Sequence, residues 1–155
     1  MRILKRIIRF FRPVYWPLVK VYFVFISPET QGVRIVLTYQ GEILFVKNSY
    51  GLKYNFPGGG IGRYENPEQG IRREVKEELG IDLGNILYVD SIVPALEYEY
   101  RKNTISIFTA ELPDKNVYIN SLEVEDVQWF TLSSIPSMGH AAYQIFQIYK
   151  TKFIR

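Results

Sequence analysis

The stretch FPGGGIGRYENPEQGIRREVKEELGI, residues 56–81, decides how this chain is read. Its second half is a helix with both ends marked. Asn66 is a good N-cap, and Pro67 suits the first helical position, where its missing N–H costs nothing. Gln69 stands where its side chain closes a capping box with Asn66. Gly80 stops the helix after Leu79, because glycine takes the left-handed closing turn without a Cβ penalty. The spacing predicts a helix over about 67–79. Ile71, Val75 and Leu79 recur every fourth residue and make the stripe that faces a core. Glu74, Glu77 and Glu78 are related by three and four positions and project together from another side.

Like charges so spaced repel by a few tenths of a kcal/mol per pair, and Arg72, Arg73 and Lys76 offset part of that. A divalent cation relieves the rest. Ligands that are all oxygen favour a hard ion, Mg²⁺, with Mn²⁺ as a substitute. A plain solvated acidic face is the competing reading. The loop leading into the helix weighs against it, because Gly58, Gly59, Gly60 and Gly62 let backbone approach phosphate or metal closely.

Working outward, GVRIVLTY and EILFVKNSY flank Gln40-Gly41 and read as a hairpin; residues 50–64 read as loop. Strand-like stretches follow near 86–93, 95–101, 104–111 and 123–130. The segment 140–152 reads as a closing helix with Ala142, Ile145, Phe146 and Tyr149 on one side. A long helix set among strands predicts a mixed sheet with helices on its faces, an α/β (α+β) domain over residues 29–155.

Residues 1–28 differ in kind. They hold Arg2, Lys5, Arg6, Arg9, Arg12 and Lys20 and no acid, a charge of +6, against 13 basic and 16 acidic residues, or −3, in the remainder. In RILKRIIRFFR, residues 2–12, Ile3, Leu4, Ile7, Ile8 and Phe11 fall on one helical face and the cations on the other. Two readings compete for this basic amphipathic N-terminal arm: a helix packed on the domain, and an interfacial helix on anionic lipid. No apolar run reaches the roughly 18–20 residues of a membrane span, and no small-residue cleavage site follows the apolar stretch. The chain has no cysteine and one histidine, His140, which rules out disulfides, thiolate sites and a multi-histidine zinc site. Without a G-x-S-x-G turn, a triad built on His140 has no partner motif. His140 reads as a neighbour of the last helix's cap or a pocket residue, and Trp16 and Trp129 as packing anchors.

Gly59, Glu65, Arg73-Glu74, Val75, Glu77-Glu78, Gly80 and Ile81 fill nine fixed positions across 23 residues. This register resembles the Nudix hydrolase signature at every defining position. Weaker resemblance extends over roughly 32–150, including EVEDVQWFTLSSIP as a last strand and turn. Gly62 and Tyr64 depart from the commonest form, which carries Glu and Gly there. The resemblance implies an α/β/α sandwich and hydrolysis of a nucleoside diphosphate linked to another moiety. It implies that Glu74 and Glu78 are the chief metal ligands, helped by Glu77 and the Gly58 carbonyl. It implies too that Arg73 and Glu65 hold the loop against the helix.

The expected chemistry is Mg²⁺-dependent attack of water on a phosphorus, with a carboxylate taking the proton. The base is expected among Glu77, Glu78, Glu97, Glu99, Glu123 and Glu125. Arg34 and Lys47 are candidates for phosphate contact, and Tyr39, Tyr50, Tyr54, Tyr98 and Tyr100 for stacking on a base. Nucleotide sugars and nucleoside triphosphates lead the substrates. The alternatives are a non-catalytic nucleotide sensor and a membrane-associated hydrolase of a lipid-linked diphosphate. Expected partners are a nucleoside diphosphate derivative, an anionic membrane surface met by residues 2–12, and a second copy in a homodimer. The −3 domain offers nucleic acid no broad basic surface. The expected location is cytoplasmic, peripheral at the membrane.

Overall fold

Alternation along the first strand sets the layers. In β1 (Thr30–Tyr39), Val33, Ile35 and Leu37 join one core cluster while Val36 joins another. β2 (Glu42–Asn48) repeats the pattern, with Leu44 and Val46 facing one way and Ile43 and Phe45 the other. The first cluster takes Ile71, Val75 and Leu79 of α1 (Pro67–Leu79); the second takes Ala142, Ile145, Phe146 and Tyr149 of α2 (His140–Phe153). The sheet therefore lies between two helices, the α/β/α arrangement expected. The computed structural model describes residues 30–49, 51–94, 103–121 and 123–154. The arm 1–28 with Trp16, the stretch expected as strand 95–101, and Tyr50, Glu97, Tyr98, Glu99 and Tyr100 lie outside the described residues.

The remaining strands are β3 (Tyr54–Asn55), β4 (Leu87–Ile92), β5 (Asn103–Glu111) and β6 (Val124–Thr131). β1 runs parallel to β5 and antiparallel to β2; β4 flanks β5, and β6 flanks β2. The expected hairpin forms through Gln40 and Gly41, both at positive φ (48° and 80°). Its strands pair beside the turn, at Thr38–Ile43 and Tyr39–Glu42, and then part. β3 and the loop after it fill the gap. Residues 50–64, expected as loop throughout, thus contribute a short strand to β2 and an extended segment to β1.

α1 forms as its ends predict. Asn66 Oδ1 accepts from Gln69 N–H at 2.9 Å, Gln69 Oε1 accepts from Asn66 N–H at 3.0 Å, and Gly80 takes the left-handed turn at φ 69°. Among the described residues no helix is long and apolar enough to cross a membrane.

Candidate active site

The loop that parts β1 from β2 builds the floor of the site. Val33 N–H donates to the Gly59 carbonyl at 2.9 Å, and Ile35 N–H to the Pro57 carbonyl at 3.1 Å. Gly58 lies between them at φ +127°, where a Cβ would stand 2.3 Å from the Val33 carbonyl oxygen. Only glycine fits. Its N–H donates to Glu78 Oε2 at 2.9 Å, and among the described residues its carbonyl accepts no hydrogen bond. At Gly59 a Cβ would lie 2.5 Å from the Glu74 carboxylate. The two glycines are the surface against which the two carboxylates rest.

Helix register then sorts the glutamates. At about 100° per residue, Glu78 falls about 20° outside the arc that runs from Ile71 through Val75 to Leu79, Glu74 about 60° and Glu77 about 120°. Accordingly Glu78 is 7% exposed, whereas the side chains of Glu74 and Glu77 are 16% and 60% exposed. The three were expected to project together, and they occupy different environments. Burial pushes the Glu78 carboxyl up to about 7; the Gly58 N–H and Arg34 pull it down, while Glu74 and Glu123 push it further up.

Arg73 organises the rim. Its Nε and Nη2 donate to the two oxygens of Glu65 at 2.7 and 3.0 Å, and Nη2 also donates to the Gly60 carbonyl at 3.0 Å. Its Nη1 donates to Glu74 Oε1 at 2.9 Å and Glu77 Oε2 at 3.1 Å. Glu65 also accepts from Gly62 N–H at 2.8 Å. The Arg73 hydrogen bond, then that of Gly62, holds the Glu65 carboxyl below its ordinary range, and Glu65 raises Arg73 in turn. One guanidinium thus ties loop to helix.

A cleft of about 690 Å³ opens above this floor, lined by Arg34, Asn48, Gly58, Glu78, Asn103 and Glu123 among others. Of the expected substrate contacts, Arg34 lines it, whereas Lys47 and Tyr54 do not. The Tyr54 hydroxyl donates to Asp126 at 2.8 Å, and its ring packs edge-on against Phe130 on the α2 side. Tyr39 packs edge-on against Trp129. Of the candidate bases in the later strands, Glu123 lines the cleft and Glu125 does not. Asn48 and Asn103 carried no sequence signal. Strand register brings them in, through Asn48 opposite Val124 and Thr30 opposite Asn103. Arg34, Asn103 and Ile105 also line a second cavity of about 260 Å³, together with Asn55 and Phe56 from the end of β3 and His140 from the start of α2.

The donor set fits a hard divalent cation. Glu74 and Glu78 supply carboxylates, the Gly58 carbonyl supplies a neutral oxygen, and among the described residues Arg34 is the cation that acts on the buried Glu78 charge. Among the described residues no three acidic or imidazole groups already stand close enough to hold an ion, since Arg73 engages both Glu74 and Glu77.

Comparisons with known proteins agree with this geometry. A NAD-capped RNA hydrolase NudC of Pseudomonas aeruginosa is 28% identical over 114 residues, 72% of this chain but 40% of that protein. An 8-oxo-dGTP diphosphatase of Proteus vulgaris is 36% identical over 63 residues, 41% of this chain and 54% of its own length. The chain thus spans about half or less of these curated relatives. Among solved structures, a MutT NUDIX hydrolase of Burkholderia pseudomallei superposes with a TM-score of 0.71 at 21% identity, covering 78% of this chain and 98% of that one. The NUDIX domain of Shewanella oneidensis NrtR, solved with ADP ribose, gives 0.72 at 18% identity, covering 85% and 96%. These likenesses carry the fold. The NUDIX domain profile matches residues 28–149, from the start of β1 into α2, and the chain belongs to that family.

Proposed function

We propose that the chain is a Mg²⁺-dependent pyrophosphohydrolase that cleaves the diphosphate linkage of a nucleoside diphosphate derivative. The observation that carries this reading is the buried Glu78 carboxylate, seated on the Gly58 N–H beside Glu74 at the floor of the cleft. Mg²⁺, when bound, would supply charge neutralisation at phosphate oxygens and a lowered pKa for coordinated water. Glu74, Glu78 and the Gly58 carbonyl would hold the ion. Arg34, at the junction of the two cavities, pairs with phosphate oxygens. Glu123, at the wall of the cleft, takes the proton from the attacking water. The cavity beside the start of α2 is lined by apolar Phe56, Ile105 and Ile145 and by polar Asn55, Asn103 and His140. It suits the nucleoside moiety, whose ring is flat and whose rim is polar.

The relatives' names widen the substrates worth assaying beyond nucleotide sugars and nucleoside triphosphates to NAD, ADP-ribose and capped or triphosphorylated RNA ends. Each should be incubated with the chain in Mg²⁺ and in EDTA. Phosphate-bond cleavage that needs Mg²⁺ supports the proposal. Nucleotide binding with no turnover in either condition contradicts it and makes the domain a sensor.

A further inference from the structure

Gly62 and Tyr64, the two positions at which the loop departs from the commonest form of its motif, flank Arg63, a cation the hydrolytic reading leaves unused. We propose that Arg63 sets substrate specificity by pairing with an anionic group carried beyond the scissile diphosphate. The favoured substrates are then nucleoside tri- and polyphosphates, ahead of diphosphates that end in a neutral sugar. This role rests on the hydrolytic reading, which places the scissile bond over the Gly58–Gly59 floor.

Arg63 lines the 690 Å³ cleft, as do Glu65, Glu78 and Glu123. Among the described residues it nevertheless forms no ion pair and no hydrogen bond. The nearest acids in sequence, Glu65, Glu74 and Glu77, are held by Arg73. Gly62 keeps it so. Its N–H donates to Glu65 Oε2 at 2.8 Å, and a Cβ built on it would stand 2.9 Å from the same oxygen. The position that commonly carries an acid therefore brings none to Arg63. Tyr64 supplies the other half of the device. Its ring is 90% exposed and packs on no core, and the Arg63 guanidinium lies 5.6 Å from its centroid. A cation–π contact at an exposed site contributes about 0.5–1 kcal/mol. It restrains the side chain and leaves the guanidinium's N–H donors for a ligand.

The two arginines stand at different depths. Arg34 lines both cavities, whereas Arg63 lines the larger one alone. The loop runs antiparallel to β1, with the Gly59 carbonyl on Val33 N–H at 2.9 Å and Ile61 N–H on the Gln31 carbonyl at 3.1 Å. It leads outward from the Gly58–Gly59 floor beside Arg34 to Arg63, which follows Ile61. Three residues of strand, about 10 Å, separate Arg34 from Gln31. A nucleoside in the smaller cavity puts its first phosphates at Arg34 and the floor. Whatever the substrate carries next extends along the larger cleft toward Arg63. A neutral sugar offers a guanidinium hydrogen bonds alone. A further phosphate offers charge as well, with paired oxygens that match the guanidinium fork. With Glu78 and Glu123 on the same walls, an added phosphate needs such a cation beside it.

The test is the ratio of kcat/KM for the four ribonucleoside triphosphates to that for ADP-ribose and UDP-glucose, measured on the full chain in Mg²⁺. The parent chain should favour a triphosphate. Arg63→Gln should lower the ratio by about tenfold or more, through KM, as loss of a charged contact away from the reacting atoms does. Arg63→Lys should restore part of it. Tyr64→Gly should lower the ratio severalfold and Tyr64→Phe should keep it, because the ring face is what holds the cation. Melting temperatures should stay within error of the parent. A parent chain that favours ADP-ribose or UDP-glucose overturns the proposal. So does a loss with Arg63→Gln that is equal for both classes, or one confined to kcat. Calorimetry with α,β-methylene ATP and α,β-methylene ADP in Mg²⁺ tells the two failures apart. Weaker binding of the triphosphate analogue alone in Arg63→Gln upholds the role of Arg63 even where nothing is turned over, the result that would sink the hydrolytic reading. Unchanged binding of both analogues overturns the role of Arg63 whatever the turnover.

Discussion

Glu78 and Glu77 are neighbours in sequence and opposites in the fold. Glu77 lies at the solvated rim, paired with Arg73; Glu78 lies beside the core-facing arc of the same helix, where its carboxylate accepts from the Gly58 backbone N–H. At the rim, charge is balanced by charge in water and contributes modestly. At the floor, a carboxylate has been desolvated without a matching cation in contact among the described residues, which costs stability and is retained only where something else is gained. One residue type thus serves as tether or as reactive ligand according to a rotation of about 100°.

The largest expected effect breaks this pair apart. Glu78→Gln should lower Mg²⁺-dependent kcat/KM by roughly 100-fold or more, the scale of a lost preorganised charge. In the metal-free state it should raise the melting temperature at pH 8, because the amide keeps the Gly58 hydrogen bond without a buried charge. Glu77→Gln should lower kcat/KM by less than about tenfold and leave the melting temperature within error, as a solvated ion pair does. Steady-state kinetics and calorimetry on the two variants read both signs. Equal losses would erase the distinction between floor and rim.

The glycines beneath the carboxylates sharpen the same comparison. Gly58→Ala forces a left-handed backbone on alanine and drives its Cβ into the Val33 carbonyl, so it should cost about 3 kcal/mol of stability. At Gly59 the new Cβ meets only the end of the Glu74 side chain, which can swing away. Gly59→Ala should therefore fold nearly as well as the parent and lose turnover, because Glu74 is displaced. Chemical denaturation beside a turnover assay separates the two outcomes.

Proton linkage gives the smallest and most diagnostic effect. The Glu78 carboxyl sits at about 7 in the fold against an ordinary value of 4.5, so between those pH values the folded chain holds the extra proton. Metal-free stability should therefore fall as pH rises from 4.5 to about 7, by up to about 3 kcal/mol, and level off above. Glu65 acts in the opposite sense at lower pH: its contribution is present above the ordinary carboxylate value and is lost as pH falls below it. Urea titrations from pH 4 to 8 should lose the upper trend in Glu78→Gln and keep the lower one.

Much of this was legible in the sequence because the signals were local. Asn66, Pro67, Gln69 and Gly80 mark helix ends through contacts a few residues long, and the spacing of Glu65, Arg73 and Glu74 fixes the loop tether. Non-local geometry was not legible. The parting of β1 from β2 depends on carbonyls of Pro57 and Gly59 that no local pattern reveals. Asn48 and Asn103 reach the cleft by strand register alone, and Tyr54, a plausible stacking residue, is committed to Asp126 and Phe130. The depth of Glu78 had a signal, its place about 20° from the edge of the Ile71–Val75–Leu79 arc, that a simple polar-face reading passes over.

The central claim is that the buried Glu78 carboxylate is the site where a divalent cation is taken up. Isothermal calorimetry of Mg²⁺ binding to the full chain and to Glu78→Gln, at pH values from 5 to 8, tests it most directly. The account predicts affinity that climbs with pH through about 7 as Glu78 gives up its proton, and weak, pH-independent binding in the variant. Equal affinity in the two chains across that range would contradict it.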